Sequence, residues 1–262
     1  MMQSDAKGNW HDSKGRFMDK PKRIPNDVAP PMPYQSARDR CIEYAKRQNI
    51  DLIWKAASIE VRGLTFPETE EIYAGVNPEN DQEVRKVLTV NNIKRAWEFL
   101  LEHSDDWLDW HYLSEYNRIC GQYLEKEPGA MRNRPVSITG TDWQPAIMVH
   151  PDDVLRDIGE AMDEETPSRR ATHLFAVACR GQWFFNGNKR TATMGANHVI
   201  IHDGGGVFAL PPQKIDTEFS DELLRYYETN DLPRILDWLE YHAIGHIEDD
   251  GRTSAQLDGV DE

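Results

Sequence analysis

Residues 182–192 read QWFFNGNKRTA, and this short stretch decides how the rest of the chain is interpreted. It begins with a bulky aromatic cluster and continues with three turn-forming residues, Asn186, Gly187 and Asn188. Asn and Gly tolerate unusual backbone angles, so consecutive N–H groups can converge in such a turn. A helix that begins near Asn188 would add the end of its dipole that favours a negative ligand. The stretch therefore predicts a site for an anion such as a phosphate.

Two cations follow the turn directly and could contact such a ligand. Arg190 can form a forked contact with phosphate oxygens, and Lys189 can add a point charge. The alternative is an ordinary turn between two helices that carries two solvated cations, because a glycine-rich turn on its own is weak evidence. The stretch alone leaves both interpretations open.

The composition narrows the class of protein. The chain has 262 residues, of which 39% are hydrophobic, and its formal charge is −15 at pH 7. This length and apolar fraction suffice for a folded core. The negative charge argues against binding to nucleic acid or to anionic membranes, since both would repel the chain overall. A local anion site in so acidic a chain is therefore the more notable.

The cysteines and the N-terminus favour a cytoplasmic protein. Cys41, Cys120 and Cys179 stand at wide spacings that fit neither a disulfide framework nor a metal motif, which suits a reducing compartment. The N-terminus is charged and lacks the apolar region of a signal peptide, and no apolar run is long enough to span a bilayer. Delivery by a dedicated secretion machine would leave no trace in these features.

The hydrophobic pattern divides the chain into four parts. Residues 1–35 are polar with a proline-rich end, and we expect a flexible arm. Helical periodicity begins at Ser36, a residue type that caps helices, and residues 36–105 are expected to hold the N-terminal helices. Residues 106–247 continue with further amphipathic helices and are expected to form the core. Residues 248–262 are expected to form an acidic, disordered tail.

One segment, residues 135–148, departs from the helical pattern. It alternates apolar and polar residues around Gly140, Thr141 and Asp142, which predicts a short hairpin. The expected fold class is therefore all-α, a bundle of helices with one small β-hairpin.

The loop and two upstream segments together resemble the Fic/Doc (Fido) proteins. The signature of that family runs His-x-Phe-x-Asp/Glu-Gly-Asn-Gly/Lys-Arg. Phe184, Gly187, Asn188 and Arg190 match it, and Lys189 matches the Doc-type variant. The segment PGAMRNRPVSITGTDWQP is similar to the one that leads into the family's flap, a hairpin that holds the target's chain beside the nucleotide. The segment AASIEVRGLTFPE is similar to the region of the family's inhibitory helix. The resemblance implies the Fido fold, a helical bundle with a hairpin flap.

The resemblance also implies a function. Family members bind ATP with Mg²⁺ and transfer AMP to a Ser, Thr or Tyr hydroxyl of a target protein, whereas the Doc branch transfers phosphate and belongs to toxin–antitoxin pairs. In the family the motif His takes the proton from the hydroxyl, the acidic residue holds Mg²⁺, and the turn and Arg hold phosphates. Carried over, the expected nucleotide-binding residues are Gly187, Asn188, Lys189 and Arg190. A target protein and an antitoxin or regulator are the expected partners.

The sequence departs from the family at two chemically important positions. Gln182 stands at the His position, and its amide can orient a hydroxyl but cannot act as a general base near neutral pH. Loss of that assistance lowers a rate by about 10²–10⁴-fold. Asn186 stands at the acidic position, where its carbonyl oxygen could ligate Mg²⁺ without adding charge or could simply shape the turn. His173 is expected to be a packing or surface histidine, and Trp183 and Phe185 are expected in the core.

Glu60 occupies the place of the family's inhibitory glutamate when Leu64 and Thr65 anchor the alignment. In the family that glutamate contacts a second Arg, and this chain has Thr193 at that position. The usual salt bridge therefore cannot form. Glu60 is an inhibitory-helix candidate, with a plain surface carboxylate as the simpler interpretation.

Three functions stay open at this point. Gly187 favours an AMP transferase, because Doc-type members usually carry Ala there. Lys189 and the missing second Arg favour a Doc-like phosphotransferase. Gln182 together with Asn186 favours a pseudoenzyme that binds a nucleotide or a protein without turnover.

Overall fold

The computed structural model describes residues 36–76 and 81–248, together with three short strands among the first 35 residues. These strands, β1 (Gln3–Ser4), β2 (Trp10–His11) and β3 (Phe17–Met18), pair antiparallel in that order. The sequence pattern did not predict them. The remainder of the arm expected at residues 1–35 lies outside the described residues, as does the tail expected at 248–262 from residue 249 onward.

Local capping signals set the beginnings of two of the N-terminal helices. The Ser36 hydroxyl accepts the N–H of Asp39, and the Asp39 carboxylate accepts the N–H of Ser36. Thr65 and Glu68 make the same reciprocal pair. Such a cap stabilises a helix by about 1 kcal/mol. The helices of this part are α1 (Ala37–Arg47), α2 (Asn49–Ser58), α3 (Phe66–Tyr73) and α4 (Asp81–Glu102).

The remaining helices complete a bundle, and the expected all-α fold class is confirmed. They are α5 (Trp110–Gly121), α6 (Pro151–Met162), α7 (Pro167–Gly181), α8 (Asn188–His202), α9 (Pro212–Lys214), α10 (Ser220–Thr229) and α11 (Leu232–Ala243). A π-helical turn, Ile215–Phe219, joins α9 to α10. Two short strands, β4 (Val207–Phe208) and β5 (Ile244–Gly245), pair antiparallel. None of the helices in the described part of the chain has both the length and the apolar character needed to cross a membrane.

The helix α8 is the centre of the bundle, and it packs against α4, α5 and α7. Every residue of α8 except Lys189 is buried, as expected for a helix surrounded by others. Gly195 allows the closest of these contacts, since a Cβ there would lie 2.7 Å from a methyl group of Leu113. The Asn197 amide exchanges two hydrogen bonds with the backbone of Phe208 and so holds β4 against the helix. Because α8 is fixed on all sides, the loop that leads into it is fixed as well.

The segment expected to be a hairpin, residues 135–148, turns back at Gly140 but contains no strand residues. Two features explain the difference. Pro135 and Pro145 carry no N–H and cannot donate to a ladder. The buried guanidinium of Arg132 donates hydrogen bonds to the backbone carbonyls of three residues at the two ends of the segment. The segment is therefore held as an irregular loop by a side chain and not by strand pairing.

Candidate functional site

The stretch around residues 182–190 forms a tight loop between α7 and α8, as predicted. The helix α7 ends at Gly181 and is followed by Gln182, whose φ of 46° is left-handed, and α8 begins after Gly187, whose φ is 76°. A Cβ at position 187 would lie 3.2 Å from Nδ2 of Asn117 and 3.4 Å from Nη2 of Arg190. The backbone conformation and the close neighbours both favour glycine at this position.

The side chain of Gln182 is hydrogen-bonded inside the loop. Its Nε2 donates to the carbonyl of Cys179 at 2.6 Å, and its Oε1 accepts from Nδ2 of Asn188 at 3.0 Å. Its backbone carbonyl accepts from Nε of Arg132 at 2.8 Å. Because both ends of the amide have partners, Gln182 closes the end of α7 and joins it to α8.

Asn188 shapes the loop with its side chain. Its Oδ1 accepts the N–H of Phe184 at 2.9 Å, and its Nδ2 donates to the Phe184 carbonyl at 2.8 Å. What Asn188 can offer to an anion is its backbone N–H, in the first turn of α8. Gly187 provides no side-chain cap for that turn. The N–H groups at the start of α8 are therefore the groups of the loop best placed to bind an anion.

Arg190 is buried beneath the loop, and its side chain is 0% exposed. Its Nη1 donates to the Cys120 carbonyl at 3.0 Å, and its Nη2 donates to Oε1 of Glu125 at 3.1 Å. Its Nε lies 3.6 Å from Oε2 of Glu60. The forked contact with phosphate that the sequence predicts would require these carboxylates to move.

Glu60 reaches the loop, so its interpretation as a plain surface carboxylate is wrong. It lies just after α2 and forms ion pairs with Arg190 and with Arg85, whose Nη2 is 3.7 Å away. The contact uses the motif's own Arg190, whereas the family contact stated above uses a second Arg. Thr193, at that second position, is buried and donates its hydroxyl to the Lys189 carbonyl.

Glu125 is the site residue that sequence reasoning missed. Its Oε2 accepts from Nδ2 of Asn186 at 2.9 Å, and its Oε1 accepts from Arg190. Its side chain is 15% exposed and also lies 3.9 Å from Nη2 of Arg85. No motif marks it, because its partners Asn186 and Arg190 are 61 and 65 residues further along the chain.

The groups around Asn186 do not fit a magnesium site as they are arranged. The Oδ1 of Asn186, the expected metal ligand, accepts the N–H of Gly187 at 2.8 Å. Its Nδ2 faces Glu125, and its backbone carbonyl accepts from Asn117 at 2.9 Å. Within residues 36–76 and 81–248, no three His, Cys, Asp or Glu side chains are grouped as metal ligands would be. The geometry favours Asn186 as a residue that shapes the turn.

The aromatic residues of the loop divide between the core and the surface. Trp183 is 2% exposed, which confirms the core interpretation. Phe184 is also buried and stacks on Trp110 with ring centroids 5.1 Å apart. Phe185, also expected in the core, is 52% exposed, and the Arg134 guanidinium lies 5.1 Å from its ring centroid. That expectation is wrong because the turn into Asn186 points Phe185 outward.

Other titratable groups near the loop serve the packing. His173 is buried, and its Nδ1 lies 2.9 Å from a Glu164 oxygen, as expected for a packing histidine. Burial raises the pKa of the Cys120 thiol to about 11 and that of Cys179 to about 12. Both thiols are therefore protonated at neutral pH, and neither is an activated nucleophile.

Comparison with solved structures identifies the class of fold. The chain is similar to Fic-1 from C. elegans, with 20% identity and a TM-score of 0.59 over 80% of this chain and 68% of that one. It is similar to a Fic domain containing signaling protein from Bacteroides thetaiotaomicron, with 16% identity and a TM-score of 0.61 over 77% of this chain and 85% of that one. A Fic family protein from Desulfovibrio desulfuricans gives 16% identity and a TM-score of 0.50 over 81% and 74% of the two chains.

Neither the protein-family models nor the curated proteins contain a match to the chain. The structural likenesses, at 20% identity or below, show that the chain has the Fic fold.

Proposed function

We propose that this Fic-fold chain binds a nucleoside phosphate at the loop before α8 and transfers AMP from ATP to protein hydroxyls only slowly, with pyrophosphate as the leaving group. The observation that carries the proposal is the hydrogen bonding of Gln182. At the position where the Fic/Doc motif has its His, this chain has an amide that joins Cys179 to Asn188. The backbone of the loop has a shape that suits an anion, and the Gln182 side chain helps to hold that shape.

Three features support binding of a nucleotide phosphate. The left-handed Gly187 leaves the first turn of α8 without a side-chain cap, so its N–H groups and the helix dipole favour an anion. Lys189 is the exposed residue of α8 and brings a positive charge to the same turn. Arg190 lies directly beneath and would contact phosphate if Glu60 and Glu125 were displaced. We propose ATP as the nucleotide. Because the groups at Asn186 do not fit Mg²⁺, we assign no step to a metal.

The slow transfer follows from the missing base. General-base assistance contributes about 10²–10⁴-fold, or roughly 3–5 kcal/mol of barrier, and a glutamine amide supplies none. The exposed part of the 135–148 segment and Phe185 would lie beside a target protein. A partner that displaces the two carboxylates, whether a regulator or an antitoxin, is part of the same proposal.

Transfer of label from ATP to proteins in a lysate tests the proposal, with the wild type compared with Gln182→His and Arg190→Ala. We expect weak labelling by the wild type from α-labelled ATP, stronger labelling by Gln182→His, and none above background by Arg190→Ala. Thermal unfolding of each variant separates a chemical effect from loss of the fold. Titration calorimetry with ATP, ADP and GTP measures nucleotide binding separately from transfer. The absence of heat with all three at millimolar concentration would rule out the nucleotide site.

A Doc-like phosphotransferase is the second candidate, and Lys189 is the observation that favours it. The Doc-type variant of the motif has a lysine at this position, and Lys189 is exposed in the structure. Transfer of the γ-phosphate would label proteins from γ-labelled ATP and not from α-labelled ATP, so the same assay separates the two reactions.

A further inference from the structure

A cavity of about 440 Å³ lies behind the loop, between α6, α7, residues 143–150 and the end of α10. We call it the α6–α7 cavity. Among the described residues, those that surround Arg190 do not line it. Its apolar walls include Val154, Val177 and Trp183. A volume of this order suits a small organic ligand.

One buried polar atom of the cavity lining has no partner. The side chain of His173 is 7% exposed, and its Nδ1 lies 2.9 Å from Oε1 of Glu164. Its Nε2 is buried and makes no hydrogen bond within the described part of the chain. His173 lines the cavity and Glu164 does not, so the ring lies between Glu164 and the cavity, and a ligand that bonds to Nε2 would need a small shift of the side chains packed over it. With the ring proton on Nδ1 toward Glu164, Nε2 is an acceptor. A buried acceptor without a partner destabilises the fold, and a donor from a ligand would remove that penalty.

A carboxylate faces the same cavity from α6. The side chain of Asp157 is 26% exposed, and burial raises the pKa of its carboxyl group. One of its oxygens accepts from Nη2 of Arg156 at 3.2 Å. Arg156 also pairs with Asp153 at 2.7 Å and lies 3.9 Å from Glu160, so its single charge is shared among three carboxylates. The α6 side of the cavity therefore has an excess of negative charge.

The guanidinium of Arg180, the other cationic side chain that lines the cavity, already has hydrogen-bond and ring partners. Arg180 donates to the backbone carbonyls of Tyr226 and Tyr227 at 3.3 and 3.2 Å. Its guanidinium lies 4.5 Å from the ring centroid of Trp143. These bonds to neutral carbonyls leave the charge of Arg180 in place, so the carboxylates of the lining, three in number, face the two guanidiniums of Arg156 and Arg180. The balance is still negative, and the complementary ligand is a donor with positive charge.

We propose that the α6–α7 cavity binds a small organic cation with N–H donors, a primary amine or a guanidinium, between His173 and Asp157. The alkyl part of the ligand packs against Val154 and Val177. The cavity shares Gly181 and Trp183 with the loop before α8, but Arg190 and the two carboxylates that contact it do not line it.

Titration calorimetry of the full chain with agmatine, which carries both a guanidinium and an amine, tests the proposal. n-Butylurea, of similar size and without charge, is the control compound. We expect agmatine to bind and n-butylurea not to bind. Asp157→Asn should weaken agmatine binding at least about tenfold, which corresponds to about 1.4 kcal/mol. His173→Phe should weaken it in the same direction.

The matched control is Asp163→Asn, which removes an exposed carboxylate at the end of α6 that does not line the cavity. It should leave agmatine binding unchanged. His173→Phe also removes the partner of Glu164 and could therefore unfold. If the His173→Phe variant is unstable, the comparison of Asp157→Asn with Asp163→Asn tests the proposal without it. Absence of agmatine binding at about 10 mM, equal binding of n-butylurea, or equal effects of the two Asp variants would overturn the proposal.

Discussion

Glu125→Gln should tighten the proposed nucleotide binding, because Glu125 acts as an internal anion on Arg190, the residue that we propose to contact phosphate. Its carboxylate accepts from Arg190 at 3.1 Å and from Asn186 at 2.9 Å. A phosphate that reaches Arg190 must first displace it. Glutamine has nearly the same shape and keeps one oxygen that can accept from Arg190, but its NH2 group would then face Nδ2 of Asn186, so the substitution removes the negative charge and the bond to Asn186.

The size of the effect follows from the kind of bond that is lost. A hydrogen bond in which both partners are charged lies near the upper end of the range of about 1.5–3 kcal/mol for bonds to charged groups, and a bond from a guanidinium to a neutral amide lies near or below its lower end. Replacing the first by the second lowers the energy needed to displace residue 125 by about 1–2 kcal/mol. This corresponds to roughly 5–30-fold tighter binding of ADP. Glu60→Gln should have a smaller effect, since Glu60 lies 3.6 Å from Nε of Arg190 and its side chain is 27% exposed.

The assay is titration calorimetry with ADP, supported by thermal unfolding of each variant. Glu127→Gln is the matched control, because Glu127 is two residues away and exposed and pairs with Arg134 instead of Arg190. We expect it to bind ADP like the wild type. Equal or weaker ADP binding by a folded Glu125→Gln variant would refute the role of Glu125 as an internal anion. The double variant with Glu60→Gln should not be additive, since both carboxylates act on one guanidinium.

Two further predictions concern the fold. Burial raises the pKa of the Cys41 thiol, that of Cys120 to about 11 and that of Cys179 to about 12. A thiol reagent at pH 8 should therefore modify none of the three until denaturant is added. Rapid labelling of the native protein would contradict their burial. Lys86 and Thr65 lower the pKa of Glu68 to about 2, from an ordinary 4.5. The stability that this carboxylate contributes is present above about pH 4.5 and is lost as the pH falls toward 2. Because Glu68 is 39% exposed, Glu68→Gln should destabilise the protein by only about 1 kcal/mol at pH 7, measured by denaturant unfolding, and the difference should vanish near pH 2.

The helices were predictable because their signals are local. The caps at Ser36 and Thr65 lie within three residues of their partners, and the period of the apolar residues marks each buried face. The loop before α8 was predictable for the same reason, since Asn186, Gly187 and Asn188 act within one turn. The Fic fold followed from three segments in order, and the solved structures support it.

The contacts that decide the chemistry were not predictable, because their partners are distant in sequence. The pairs of Arg190 with Glu125 and with Glu60 cross 65 residues or more. The irregular path of residues 135–148 depends on Arg132, whose guanidinium reaches carbonyls up to 15 residues away. Exposure of Phe185 depends on the direction of one turn. Neither the hydrophobic periodicity nor a sequence motif carries information about contacts between residues so far apart in the chain.

The sequence presents Gln182 and Asn186 as two separate chemical losses, whereas in the structure both side chains make hydrogen bonds that hold the loop before α8. Gln182 is bonded to Asn188, whose side chain fixes Phe184, and Asn186 is bonded to Glu125, which holds Arg190. An aspartate at position 186 would place a second carboxylate within hydrogen-bonding distance of Glu125 and would repel it. An asparagine there donates to Glu125 instead. Glu125 supplies a carboxylate beside residue 186. Since that carboxylate contacts Arg190, Asn186 helps to hold the group that covers Arg190. Both side chains therefore keep the loop closed, Gln182 through Asn188 and Asn186 through the carboxylate on Arg190.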